Sequence, residues 1–192
     1  MKRLLLILIL VLSFQSWTKA DDIRDFQIEG MSIGESALKY FDEQYIKDRI
    51  NHENTFKYKD NKFVSIGTRN NYEIYDIVGL IIMPDDQNFK IYGLEGTLNY
   101  GDKINKCYEN QKIIEKDIDD LLGDKVLKEN WESSYSHDAS GKSKVKYIDY
   151  IFEDETSIRI ICYDMDKDFI DPNDQLLVVV NSKQFMQFLN NL

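Results

Sequence analysis

The sequence predicts an α+β protein, an antiparallel sheet with helices packed on one face. Three observations carry this reading. Residues 72–83 and 88–95 are β-rich and flank Pro84-Asp85-Asp86, while 145–153 and 157–165 flank Asp154-Glu155-Thr156, so both pairs read as hairpins. After Asp102, the residues Ile104, Cys107, Tyr108, Ile114, Ile118, Leu121 and Leu122 recur at helical spacing. Finally, Ile148, Tyr150 and Phe152 alternate with Tyr147, Asp149, Ile151 and Glu153, a strand that buries one face only.

In chain order, Met1-Lys2-Arg3, the aliphatic run Leu4 to Leu12 and the small residues around Thr18-Lys19-Ala20 read as a secretory signal peptide, residues 1–20. Its apolar run is far below the ~20 residues that cross a bilayer, so cleavage before Asp21 is expected. Residues 21–192 then form a single α+β domain, with 21 Lys+Arg against 34 Asp+Glu and a net charge of -13. Phosphate backbones and anionic lipid repel such a chain, which argues against nucleic acid as a partner.

A first helix is expected after Ile33, where Ser32 and Glu35 have capping-box spacing. A short strand follows at Phe63 to Gly67, then the first hairpin. The second helix takes Asp102 as its N-terminal cap and Gly123 as its left-handed C-terminal cap. Residues 128–144 form the most polar connection. Trp131 and Tyr135 there either anchor a partner or, the better account for large aromatics, close the core below. Gln175 to Val180 adds a strand, and residues 182–192 a last helix carrying Phe185, Phe188, Leu189 and Leu192.

Two segments resemble each other. Ile28-Glu29-Gly30 and Leu94-Glu95-Gly96 both read as a turn feeding a Gly-acid helix start, which suggests two α-βββ half-repeats, about 28–93 and 94–180. The stretches GMSIGESALKYF, KINKCYENQ and SIRIICYDMD together resemble an uncharacterised family of small exported proteins from marine bacteria, across essentially the whole mature chain. That resemblance implies no activity. More distantly, a Gly-Met before a capped helix and a three-stranded meander is similar to the small lipoproteins of outer-membrane β-barrel assembly and to the tandem-repeat β-lactamase inhibitor proteins. Both bind other proteins. No Cys stands at the cleavage site, so a lipid anchor is not implied.

The clearest chemical feature is the pair Cys107 and Cys162. An even count in an exported chain favours a disulfide, and both lie on apolar faces of their elements. Closing a loop of this size stabilises the fold by about 4 kcal/mol in the chain-entropy account. Asp164, Asp166, Asp168, Asp171 and Asp174 invite a calcium reading, but Phe169 and Gln175 stand where an EF-hand needs Gly and Glu. His52 and His137 neighbour no motif that orients a nucleophile, and no phosphate-binding loop, HExxH or Cys-x-x-Cys is present. No catalytic, cofactor or metal residues are therefore assigned. The sequence favours a periplasmic or secreted, non-catalytic module that binds a protein or envelope component. The alternatives are a secreted hydrolase with its site at the sheet edge and a weak calcium-binding protein.

The leader yields a direct expectation. Intact-mass measurement on protein recovered from expressing cells should give a chain starting at or near Asp21; retention of residues 1–20 would overturn it.

Overall fold

The computed structural model describes residues 22–123 and 126–192; the expected signal peptide lies outside the described residues. Eight strands form one antiparallel sheet: β1 Phe56–Lys57, β2 Val64–Thr68, β3 Ile77–Ile82, β4 Ile91–Gly101, β5 Leu127–Ser134, β6 Lys144–Ile151, β7 Ser157–Asp164 and β8 Asp174–Asn181. Among the described residues three α-helices accompany them, α1 Glu43–Ile50, α2 Ile104–Leu122 and α3 Lys183–Leu189. The strand order is β1-β2-β3-β4-β8-β7-β6-β5, so a helix followed by four strands occurs twice, and the two sets meet along β4 and β8. Among the described residues no helix is long and apolar enough to cross a membrane.

The main core lies on one sheet face. Val64, Ile66, Leu80, Leu94, Ile160 and Val178 point there and pack against Ile46 of α1 and Cys107, Ile118 and Leu122 of α2. The expectation that all helices share this face needs correction. Helix α3 sits on the opposite face, where Phe185 packs with Phe63, Ile81 and Tyr92. The physical reason is a β3–β4 half that is apolar on both parities, so its second face also needs cover.

The first expected helix does not form at 33–41, where there is only a 3₁₀ turn at Ala37–Lys39. Half of the capping box exists, with the Ser32 N–H donating to Glu35 at 3.3 Å. The chain cannot wind further because its backbone is committed elsewhere. Gly34 N–H bonds Ile91 C=O at 2.8 Å, Ala37 N–H bonds Phe89 C=O at 3.0 Å, and Ile91 N–H bonds Glu35 C=O at 2.8 Å. The helix begins later, at Glu43.

The two apolar-Glu-Gly segments also differ. Glu29 and Gly30 have φ of 52° and 77° and make a tight turn between the bridged residues Ile28 and Met31. The Glu29 carboxylate then accepts the N–H groups of Glu73, Ile74 and Tyr75 at 3.0, 2.8 and 3.0 Å, which holds 72–76 as a loop and starts β3 only at Ile77. Leu94-Glu95-Gly96 is instead mid-strand. Gly96 is required there because the Tyr75 ring lies over it, within 2.5 Å of where a Cβ would sit. The expected boundary at 93/94 therefore falls inside β4.

Helix α2 starts at Ile104 with no cap from the Asp102 side chain. Asp174 of β8 faces the Ile104 N–H instead and accepts the Met165 N–H at 3.0 Å. Gly123 does end the helix at a positive φ, 60°, but with ψ -143° it lies outside the expected left-handed αL cap, its N–H bonding Asp119 C=O. Three attachments fasten α2 to the sheet. The Cys107–Cys162 disulfide joins it to β7, with Cα atoms 5.9 Å apart. One turn on, buried Gln111 donates to Lys146 and Ile160 carbonyls at 3.1 and 3.2 Å. Near the end, Tyr150 O–H donates to Glu115 C=O and Asp119 at 3.0 and 2.9 Å.

Replacing Cys107 and Cys162 together by Ala should lower unfolding stability by about 2–5 kcal/mol, with a similar loss when the wild type is reduced. Urea unfolding with and without reductant measures both.

Candidate functional site

Alternation places a second set of side chains on the sheet face opposite α1 and α2. Cross-strand register aligns Gly67, Gly79, Glu95, Val179, Arg159, Asp149 and Glu129 in one row from β2 to β5, with Trp131, Tyr147, Ile161 and Leu177 in the next. Helix α3 covers the end nearest Phe63. Farther along, Val145, Ile161 and Val179 form a small apolar cluster bordered by the rings of Tyr135, Tyr147 and Tyr163.

The most organised part lies on β5, β6 and β7. Asp149 is buried and grips Arg159 with two bonds, Nε to Oδ1 at 2.5 Å and Nη2 to Oδ2 at 2.9 Å. Its second oxygen also accepts the Trp131 indole N–H at 3.0 Å. Trp131 stacks on Tyr147 with centroids 3.7 Å apart and planes 10° from parallel. The Arg159 guanidinium lies 5.4 Å from the Tyr147 ring centre and 5.9 Å from that of Trp131. One buried carboxylate thus fixes a tryptophan and an arginine, the Tyr147 ring stacks between them to complete a platform, and Trp131 remains 42% exposed.

This corrects the sequence expectation for 128–144. Leu127–Ser134 is a strand paired residue for residue with β6, and Trp131 closes no core. The strand was obscured because it is an edge, with polar residues on both parities.

Glu95 occupies the middle of the same face. Its carboxyl lies over Gly79, where a Cβ would come within 2.6 Å of Oε2, and it accepts the Ser65 hydroxyl at 3.0 Å. Part of the residue reaches the surface, yet burial of the carboxyl raises its pKa, with the Ser65 bond opposing. Burial also raises Tyr58 and Tyr163, and the nearby Glu95 adds to both.

The other sequence candidates do not converge. His52 and His137 are exposed; His52 Nδ1 accepts the Asn54 N–H at 3.2 Å, and His137 Nδ1 meets the Ser136 hydroxyl at 3.2 Å. Asp166 and Asp168 face Lys142 at 3.8 and 3.5 Å. Among the described residues no three His, Cys, Asp or Glu side chains are placed to hold a metal ion. An open hollow of about 410 Å³ beside α1 is lined by Tyr40, Phe41, Asp42, Tyr45 and Arg69 among others, and contains neither histidine. Cys107 and Cys162 are joined in the disulfide and serve structure.

No protein family, curated protein or solved structure matches the chain.

Two consequences are measurable. Arg159→Met leaves the buried Asp149 carboxylate with only the indole donor. Because Arg159 is itself partly exposed, the loss should be about 2–3 kcal/mol, below the ~3–5 of a fully buried pair. Urea unfolding checks it, and Asp149→Asn combined with Arg159→Met should recover part of the loss.

For Glu95 the folded state holds the proton more tightly than the unfolded chain does. The wild type should therefore be favoured below the ordinary glutamate value of 4.5 and lose stability as pH rises through the raised folded value. Glu95→Gln should remove that part of the slope and be the more stable protein at pH 7. Unfolding curves of both proteins across the acid-to-neutral range decide it.

Proposed function

We propose that the protein is exported and functions outside the cytoplasm by binding another protein or an envelope component through the open face of its sheet. The observation that carries this reading is the Trp131–Tyr147–Arg159 platform. Its geometry is set in advance by Asp149, so little side-chain freedom is lost on contact, and Trp, Tyr and Arg are the residues in which interface energy concentrates.

Export is supported by the leader and by a disulfide of the kind that oxidising compartments favour. The resemblance to small exported proteins agrees with it. The reading of two related halves is retained with altered limits. It is supported by a helix-then-four-strands order that occurs twice around β4 and β8. Each half then contributes a meander to one continuous binding face. Neither the hydrolase nor the calcium alternative has an observation of its own in its favour.

The test is capture from envelope extract with wild-type bait and with Trp131→Ala, identification of what only the wild type retains, and titration of that purified component. Trp131→Ala and Tyr147→Ala should each weaken binding by about tenfold or more, the scale of a hot-spot residue. A captured component that binds both variants and Glu95→Gln as tightly as wild type would exclude this face.

A further inference from the structure

The two ends of the sheet differ. At one end β1 is two residues long, whereas at the other β5 presents eight residues that pair only with β6. Tyr135 N–H bonds Ser143 C=O at 3.0 Å and continues the β5–β6 register. Odd-numbered residues of β5 therefore direct their amide groups at β6, and Lys128, Asn130, Glu132 and Ser134 direct theirs outward. An edge of this length is an invitation to pair unless its side chains forbid it.

From this edge we infer that β5 pairs antiparallel with β5 of a second copy of the chain, about a two-fold axis passing beside Asn130. A two-fold perpendicular to the sheet keeps each face on its own side, so opposed residues must share parity. With Asn130 opposite itself, Lys128 of each copy lies opposite Glu132 of the other, twice. The outward N–H and C=O groups of 128, 130 and 132 then all find partners. Shifting the register by two residues sets Trp131 against Trp131 and separates the charges. Lys128 already pairs with Glu115 and Asp119 of its own chain at 2.8 and 2.7 Å, so the neighbour's Glu132 joins that network as a further acceptor, and the Asn130-centred register is the one that brings it there. Leu127 and Trp131, 58% and 42% exposed, flank the joint on the open face and lose surface to the neighbour. The assembly closes as a pair, because the outer edges left over are the short β1 strands.

The inference does not rest on the binding role of the open face, and its test is separate. Sedimentation velocity on the purified protein should show a monomer–dimer equilibrium that shifts with concentration. Asn130→Pro removes an outward N–H while sparing the β6 ladder, so it should match the wild-type melting curve at concentrations where the wild type is monomeric and weaken association by about tenfold or more. Lys128→Glu and Glu132→Lys should each be monomeric alone, through Glu–Glu and Lys–Lys opposition. Mixed one to one they should dimerise, since each chain then supplies the complement of the other. Because Lys128 holds Asp119 and Glu115 within its own chain, Glu132→Lys is the variant that leaves those bonds unmutated. A wild type that stays monomeric at all concentrations would overturn the inference, as would a dimer indifferent to Asn130→Pro. A monomer whose β5 edge instead takes up a different chain, lost in Asn130→Pro, would overturn it equally.

Discussion

The pairing of β4 with β8 is the constraint on which the rest depends. Gly93 through Leu98 face Asn181 through Leu176 one for one, and among the described residues this is the only ladder joining the first four strands to the last four. On it rests the continuity of the main core, since Leu94 and Val180 are neighbours there and both belong to the one cluster that runs under α1 and α2. It also aligns the rows of the open face. Glu95 stands beside Val179, which stands beside Arg159, so a carboxyl from one half and a guanidinium from the other occupy one lateral line.

Within the second half, α2 is fixed by interactions of different kinds at successive turns. A covalent bond at Cys107 sets its height over β7, and the Gln111 amide sets its rotation by bonding two carbonyls at once. The buried amide costs little because both of its donors are satisfied. The result is a stiff backing for β6 and β7, the strands that carry Tyr147, Asp149 and Arg159. Rigidity on the covered face is what allows a precise arrangement on the open one.

The sequence made much of this legible where periodicity was strong. The α2 stripe, its Gly123 terminus, both hairpins, β8 and the Ser182 start of α3 stand close to where spacing puts them, and the cysteine pairing followed from apolar parity. Failures came where long-range bonds overrode local signals. Ser32 and Glu35 look like a helix entrance, but the following N–H groups are taken by the chain around β4. Leu94-Glu95-Gly96 looks like a turn, yet its glycine answers to a tyrosine twenty-one residues away. The platform was hidden for a related reason. Trp131, Tyr147, Asp149 and Arg159 lie on three strands and have no common spacing; the only available hint was that an acid and a base each sat on the outward parity of a hairpin.

The order of strands along the chain has a consequence for biogenesis. β8 follows β4 only after α2, β5, β6 and β7, so the eleven-residue β4 must wait for all of these before its free side is filled. During that interval the first half is a four-stranded sheet with a long apolar flank open to any passing strand, while Cys107 has already appeared and awaits Cys162. The native contact that unites the two sets of strands thus becomes possible only after β5, β6 and β7 have been made, and until then the exposed side of β4 is the place where misassembly can start.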